Sequence, residues 1–243
     1  MHGLLTFWWA PIAGAFLFTH WTVVSVTLFL HREQAHHSVR FASSVDHLFR
    51  FWLWLTTGFT TRQWVTVHRL HHATVETAQD PHSPRHLGLA RVMLTGLWLY
   101  RAAARNESNL AKYGYGTPDD WLERHVYSKY TNAGLLLMLA LDITLFGLTG
   151  IAVWAFQMLW MPLVNGAIIN GLGHAIGYRN ADTEDDSTNL LPWGVLAAGE
   201  ALHNNHHADG ASAKLSKKWF ELDLGWVYIR VLAGLGLAVV RKP

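Results

Sequence analysis

Apolar residues are concentrated in two stretches of the chain that contain no Lys or Arg. The first stretch runs from Met1 to His31 and includes the mostly apolar segment Leu4–Leu30, which is long enough for one membrane span of roughly 20 residues. Aromatic residues at positions 7–9 are typical of a membrane interface. A cleavable signal peptide is the alternative, but this segment has no positively charged start and no small-residue cleavage site.

The second stretch, from Tyr130 to Tyr178, is about as long as two spans joined by a short turn. We place these spans at about Ala133–Phe146, extended by a few residues, and Ile151–Ile169, with a break near Gly147–Gly150. A helical hairpin returns the chain to the side that it left. Both Lys- and Arg-containing blocks then lie on one face, and the positive-inside rule makes that face cytoplasmic.

Two further apolar segments are ambiguous as spans, and one polar segment is not a candidate. Phe49–Val67 is apolar with several Thr and is expected to lie at the interface or to enter it partway. Leu224–Val240 contains Arg230 and is expected to be a docked or interfacial helix. Glu107–Arg124 is polar and loop-like, with a helix start at 117–120.

Composition supports the membrane class. The chain has 243 residues, of which 51% are hydrophobic and only 15% are charged, whereas soluble domains carry about 25% charged residues. We expect a single domain over residues 1–243, all-α, with about three to four transmembrane helices and a cytoplasmic helical cap. The net charge of +2, without a Lys/Arg run, argues against nucleic acid as a partner.

Cysteine is absent and histidine is abundant, with 16 residues. Disulfides, thiolate nucleophiles, cysteine-based zinc sites and cysteine-ligated iron–sulfur centres are therefore excluded. Histidine is the commonest protein ligand for metals, so the excess directs attention to metal sites.

The histidines form three clusters and a fourth, shorter motif: HREQAHH at 31–37, HRLHH at 68–72, HNNHH at 203–207 and NGLGH at 170–174. In the second and third clusters the i, i+3, i+4 spacing places three imidazoles on one helical face. Asn170 and His174 are also expected on one face. His31 and His36 are five apart, which a regular helix separates by about 140°. They can both be ligands only if they address different metals or if the helix ends between them.

All four motifs follow the cytoplasmic ends of apolar segments, which predicts a histidine-ligated di-metal site in the cap. Nearby carboxylates are candidates to accept the free imidazole N–H or to pair with an Arg, namely Glu33, Glu76, Asp80 and Glu200. We leave the remaining histidines out of the site: His2, His20, His37, His47, His82, His86 and His125. His82 and His86 are interpreted as loop residues or as outer partners of the ligands. Asp142 is expected to pair with a neighbouring helix.

In this order, HREQAHH, HRLHHATVETAQDPHS, NGLGHAIGYRN and GEALHNNHH resemble the membrane fatty acid desaturase family, specifically the bacterial type of its acyl-CoA (delta-9) desaturase-like branch. The resemblance covers nearly the whole chain from His31. It implies that nine histidines bind two iron ions: His31, His36, His68, His71, His72, His174, His203, His206 and His207. It also implies that Asn170 contributes through water and that Trp64 contacts substrate.

The resemblance implies an O2-dependent desaturase of acyl chains with its active site on the cytoplasmic side of a bacterial inner membrane. The acyl carrier stays open between CoA, acyl carrier protein and phospholipid, because Thr66-Val67 stands where animal acyl-CoA desaturases have Arg-Asp. An external ferredoxin, rubredoxin or cytochrome with its reductase is implied as electron donor, and membrane lipids as further partners. An apolar tunnel has Trp52, Trp54, Trp160 and Leu163 as further candidate lining residues.

Two other functions remain as alternatives. One is a di-iron membrane hydroxylase, or a desaturase that proceeds to an alkyne, since the same metal architecture serves these reactions. The other belongs to a different class: a zinc-dependent membrane hydrolase or a metal-binding protein such as a carrier or receptor. A hydrolase needs an open zinc position, and nine ligands are too many for it. A transporter should hold its ligands near the bilayer midplane.

Overall fold

The computed structural model describes residues 3–243, with the side chain of Asn165 left aside, and His2 therefore lies outside it. Most of the described chain is helical. The α-helices are α1 Ala10–Ser25, α2 Ser43–Thr56, α3 Thr61–Thr74, α4 Pro84–Leu87, α5 Leu89–Ala104, α6 Glu107–Tyr113, α7 Ala133–Phe146, α8 Gly150–Met161, α9 His203–Ala208 and α10 Leu224–Gly234. The strands are β1 Val39–Phe41 and β2 Ala238–Val240.

The first apolar helix is shifted towards the C-terminus relative to the predicted segment Leu4–Leu30. Helix α1 continues without a break into the π-helical segment Val26–Ala35, so that one helix of 26 residues extends past Leu30. Its outer face carries exposed Phe16 and Leu17, whereas Val23, Val24 and the following residues are buried. The polar end of this helix therefore reaches the interior of the protein and delivers the first histidine cluster there.

The second apolar stretch is a helical hairpin, as predicted. Helix α7 ends at Phe146. The next residue, Gly147, has a φ of +65° and begins a 3-10 turn that reverses the chain, and α8 packs back against α7. A π-helical segment, Pro162–Ile169, continues α8 towards His174. Asp142 is buried and accepts a hydrogen bond from Gln157 Nε2 (2.8 Å), which confirms the expected pairing between helices.

Among residues 3–243, two helical stretches, Ala10–Ala35 and Ala133–His174, are long and apolar enough to cross a membrane. The second contains both arms of the hairpin. Phe49–Val67 is not one segment: α2 and α3 are separate helices, because Thr60 and Gln63 form a capping box that starts α3. The polar stretch after α5 contains helix α6, and Asp120 accepts from the backbone N–H of Glu123 at the predicted helix start.

The C-terminal segment corrects the all-α prediction. Helix α10 ends at Gly234, and the chain continues as β2, which pairs antiparallel with β1 in a two-stranded sheet. Helix α10 lies against α1, where His20 Nε2 and Tyr228 Oη form a hydrogen bond of 2.8 Å. Because β1 directly follows the first histidine cluster, its pairing with β2 holds the C-terminal segment next to that cluster.

Candidate metal centre and acyl cavity

The first histidine cluster lies on a π-helix. The backbone N–H of His36 donates to the carbonyl oxygen of His31 (3.1 Å), and the ring centroids of these residues are 5.0 Å apart. An i→i+5 hydrogen bond aligns residues five apart. Both rings therefore face the same group of histidines, so the two residues do not address different groups. The helix ends at Ala35, between them, which is the second of the two conditions that the spacing set.

The second cluster occupies the last two turns of α3, as its spacing predicts. The ring centroids of His68 and His72 are 4.6 Å apart, and those of His71 and His72 are 5.6 Å apart. The capped start of α3 fixes the helix, so the three imidazoles project together from one side.

The third cluster lies on the short helix α9, which buried amides hold in place. Asn205 Nδ2 donates to Leu215 O (2.9 Å) and to Glu221 Oε2 (2.9 Å). Asn204 Oδ1 accepts from the backbone N–H groups of Asn180 (2.9 Å) and of Ala181. Because a helix of six residues is not stable alone, these bonds orient its histidines.

The fourth motif is not regular α-helix, which corrects the expectation for Asn170 and His174. The π-helical segment ends at Ile169, and Leu172–His174 is a 3-10 turn. Gly173 allows the close approach that the sequence predicts, since a Cβ there would lie 3.2 Å from the His203 ring. His174 and His203 then meet with their Nε2 atoms 3.0 Å apart.

These segments bring all nine predicted histidines together in two groups and a bridge. The first group is His31, His36, His68 and His206, and the second group is His71, His174, His203 and His207. Within each group the candidate ligand atoms lie within 4.8 Å of one another. His72 lies between the groups, with its Nε2 2.8 Å from that of His206 and its ring centroid 4.7 Å from that of His207.

Carboxylates from other segments hold four of these rings by Nδ1. The pairs are His31 with Glu200 (2.7 Å), His71 with Asp80 (3.0 Å), His174 with Glu76 (2.9 Å) and His207 with Asp185 (2.7 Å). Three of the four carboxylates were candidates from sequence, whereas Asp185 was missed. Glu33 does not serve a histidine: its Oε1 accepts from the backbone N–H of Phe41 (2.8 Å).

The donor set fits a metal site. When Nδ1–H donates to a carboxylate, Nε2 keeps its lone pair, and several lone pairs that face one another need a cation between them. Burial, followed by the positive charge that neighbouring imidazoles would carry, lowers the pKa of His68, His71, His72, His203 and His206 well below the ordinary value. Neutral imidazole is the form that binds a metal ion.

An apolar cavity of about 290 Å³ is connected to the first group of histidines through the Trp64 side chain. Trp64 lines it and stacks on His68, with ring centroids 5.0 Å apart and planes at 16°. Asn170 lines it as well. Its other walls include Val26, Leu97, Tyr100, Leu135, Trp154 and Met158.

The other four residues that the sequence suggested for the lining do not line this cavity; they are Trp52, Trp54, Trp160 and Leu163. Trp52 Nε1 donates to Thr22 Oγ1, and Trp54 Nε1 donates to Tyr130 O. Trp160 packs into the core, and Leu163 is half-exposed. Trp154, which sequence reasoning missed, lines the cavity instead.

A second cavity of about 250 Å³ adjoins the first and shares Phe59 and Arg101 with it. Its walls also include Gln63, Arg105, Thr131 and Asn132. An apolar cavity therefore lies beside a basic, polar one.

Of the histidines left out of the site, His82 is closest to it. Its ring is buried and stacks on that of His71 with centroids 4.5 Å apart, and burial lowers its pKa to about 3. Arg69 Nη2 donates to His37, and His86 is hydrogen-bonded to Glu76 O. His47 and His125 are exposed.

The fold and the site together define a helical protein with span-length apolar helices and a histidine-rich metal site. The sequence profile of the Fatty acid desaturase family matches residues 7–240. The chain belongs to the fatty acid desaturase family, which confirms the resemblance and the acyl-chain desaturase function that it implied.

Relatives agree on this family. Delta-9 acyl-lipid desaturase 2 of Arabidopsis thaliana is 30% identical over 98% of this chain and 76% of its own length. The sn-1 stearoyl-lipid 9-desaturase of Anabaena variabilis is 30% identical over 97% of this chain and 85% of its own length. Acyl-CoA 5-desaturase AL21 of Anemone leveillei is 30% identical over 91% of this chain and 68% of its own length.

Proposed function

We propose that the protein is an integral-membrane enzyme that uses O2 and two iron ions to introduce a double bond into the acyl chain of a lipid or thioester. The observation that carries the proposal is the pair of histidine groups joined by His72 beside an apolar cavity. A set of imidazole ligands, some of them hydrogen-bonded through Nδ1 to carboxylates, suits iron. The nine histidines are its proposed ligands, with Asn170 acting through water.

Bound iron would supply the O2 activation and hydrogen abstraction that an unactivated methylene pair requires and that side chains cannot perform. The balance is –CH2–CH2– plus O2, two electrons and two protons, giving –CH=CH– and two waters. The acyl chain supplies the other two electrons. A separate ferredoxin, rubredoxin or cytochrome with its reductase is the proposed donor.

The protein's own contribution is positioning. Trp64 forms the cavity wall against His68, so a chain in the cavity would be separated from His68 by the Trp64 side chain. Glu200 and Asp80 hold His31 and His71 by Nδ1, which fixes the direction of each Nε2. Apolar walls keep water from the methylenes, and fixed walls select one methylene pair among chemically similar ones.

The residues of the second cavity indicate what kind of group carries the acyl chain. Arg101 and Arg105, with Gln63 beside them, would bind an anionic head while the tail occupies the apolar cavity. Phospholipid, CoA and acyl carrier protein each present phosphate at such a position. Acyl-lipid relatives are named twice among the three proteins above, so we propose a membrane lipid as the first substrate to test.

The membrane arrangement follows from the apolar helices. The first helix and both arms of the α7–α8 hairpin would cross the bilayer as three spans, with α2 and α3 entering it from the cytoplasmic side. The active site would then lie at the cytoplasmic face of a bacterial inner membrane.

Fatty-acid profiling after expression in a bacterial host tests this function. The wild type should produce a new monounsaturated fatty acid that disappears under anaerobic growth. His206→Ala should reduce the product to background, whereas His125→Ala, at an exposed histidine outside the site, should not change it. A hydroxylated product, or full activity of His206→Ala, would contradict the proposal.

A further inference from the structure

Six large apolar side chains on two loops form one exposed surface, which we call the cap patch: Leu191, Trp193, Leu196, Trp219, Phe220 and Leu222. Trp219 is 95% exposed and Trp193 is 65% exposed. The two loops are joined, because the backbone N–H of Leu222 donates to Pro192 O (2.7 Å) and Trp193 pairs with Leu222 in a parallel bridge. A contiguous apolar surface of this kind marks an interaction site.

The cap patch lies beside the apolar helices. The turn Val195–Ala197 contacts α1, the apolar part of the first helix, and the next residue, Ala198, accepts a hydrogen bond through its carbonyl oxygen from Arg32 Nη2 (3.4 Å), next to His31. Leu190 packs against an apolar cluster that includes Val164 and Ile169, at the end of the second apolar stretch. The cap patch therefore continues the outward apolar surface of these helices, on which Leu159 is 69% exposed.

Two lysines lie beside the cap patch, and the first of them, Lys217, is in a partly exposed ion pair with Asp209 (3.6 Å). Exposed Lys217 and Lys218 directly precede Trp219. Trp at the edge of the apolar region and Lys beside it are the residues that interact with lipid headgroups. An acidic residue in the same loop, Glu221, is buried and turned inward.

The buried side of this loop is fixed to the metal centre. Glu221 accepts from the backbone N–H groups of Lys217 (2.6 Å) and Lys218 (2.9 Å) and from Asn205 Nδ2 (2.9 Å). Asn205 lies in α9 between His203 and His206. The position of the cap patch relative to the histidines is therefore set by a hydrogen-bonded connection, not by a flexible tether.

We propose that the cap patch is a membrane-docking surface that inserts into the headgroup region of the adjacent leaflet, with Lys217 and Lys218 binding anionic phospholipid headgroups. The apolar side chains bury against lipid, and the two ammonium groups interact with the surface charge. The proposal rests on the proposed membrane location of α1 and the α7–α8 hairpin, and it is independent of the reaction catalysed.

Single-cysteine labelling tests the docking directly, because the chain has no cysteine of its own. Trp219→Cys and Leu196→Cys variants, labelled with an environment-sensitive fluorophore, are placed one copy per nanodisc of phosphatidylcholine with or without phosphatidylglycerol. Both labels should emit at shorter wavelength than a label at Asp182→Cys, an exposed position in an acidic loop. Emission from both sites equal to that at position 182 would overturn the proposal.

The charge component has its own test. Phosphatidylglycerol should shift the Trp219→Cys emission further to shorter wavelength, and the Lys217→Gln/Lys218→Gln pair should abolish that additional shift. Lys214→Gln, an exposed lysine earlier in the same segment, should preserve it. An additional shift that survives the double substitution would overturn the role of the two lysines.

A label at Leu17→Cys on the outer face of α1 separates the two ways of failing. If position 17 lies in lipid and position 219 in water, docking is wrong while the membrane location stands. If both lie in water, the membrane location is wrong. If position 219 becomes shielded only when two copies share a disc, the cap patch binds a second copy and the proposal is overturned.

Discussion

Four of the nine clustered imidazoles are oriented by a carboxylate that contacts Nδ1. Asp185 shows this most clearly: its carboxylate accepts from His207 Nδ1 (2.7 Å) and from the Ser187 hydroxyl (2.5 Å). Burial opposes its ionisation, but the hydrogen bonds from His207, Ser187 and Thr183 lower the pKa of Asp185 below its ordinary value. Asp185 is therefore a carboxylate at neutral pH and keeps the proton of His207 on Nδ1.

Asp185→Asn should weaken metal binding, because the amide cannot hold the Nδ1–H tautomer as a carboxylate does. We expect a loss of about 10–100-fold in metal affinity or activity, the usual effect of such a substitution. Competition with a chelator, followed by metal analysis, measures it. Asp182→Asn, three residues earlier and exposed, is the matched control and should bind metal like the wild type. Equal affinity of the two variants would show that Asp185 has no such role.

At the residue scale, the sequence located the nine histidines because their spacing is informative, and it located three carboxylates because they adjoin the histidine motifs. Asp185 lies in a polar loop with Asp182 and Asp186, and no pattern distinguishes it from them. The geometry of His31 and His36 could not be predicted either. An α-helix and a π-helix can have the same sequence signature, and tertiary contacts decide between them.

Among the elements, the first apolar helix and α10 are joined by a buried ion pair. Arg32 Nη2 donates to Asp223 Oδ1 (2.8 Å), and both side chains are 1% exposed. Asp223 also accepts from the backbone N–H of Trp226 as the N-cap of α10. One carboxylate therefore fixes the position of α10 relative to the helix that carries His31.

Asp223→Asn should destabilise the protein strongly, because Arg32 then stays buried without a counter-charge while Asn still caps α10. We expect a loss of about 3–5 kcal/mol, measured by chemical denaturation in detergent micelles. Asp186→Asn is the control: its pair with Arg85 is about half-exposed and should contribute only about 0–1 kcal/mol. If Asp223→Asn loses no more stability than the control, the buried ion pair between Arg32 and Asp223 does not stabilise the protein as proposed.

The sequence predicted the elements whose hydrophobic pattern is strong, including the α7–α8 hairpin and its break. It did not predict where Phe49–Val67 divides or where Leu224–Val240 changes from helix to strand. Both boundaries depend on contacts distant in sequence. Strand β2 forms only because Val39–Phe41 offers a pairing edge, and three residues of strand carry no readable alternation by themselves.

At the scale of the whole molecule, the histidines lie at one end of the apolar helices. The reversal at Gly147–Thr149 lies at the opposite end of the hairpin from His174. If α1 and the hairpin cross the bilayer, the histidines and this reversal must lie on opposite sides. A mostly helical fold could be predicted from sequence, but the two-stranded sheet of β1 and β2 could not. The crossing of these helices needs a measurement in a membrane.

Labelling of intact cells with a membrane-impermeant thiol reagent tests this arrangement. Leu148→Cys, in the exposed turn of the hairpin, should be labelled from outside. Glu107→Cys, exposed at the start of α6, should be labelled only after the cells are opened. The same reactivity for both cysteines in intact cells would contradict the orientation.

The iron content of the purified protein tests the central claim most directly. Protein loaded anaerobically with ferrous iron and freed of excess metal should hold two irons per chain. Two ions are expected because His31, His36, His68 and His206 form one group and His71, His174, His203 and His207 form another, with His72 between them. A single iron per chain, or zinc retained in preference to iron, would contradict the account.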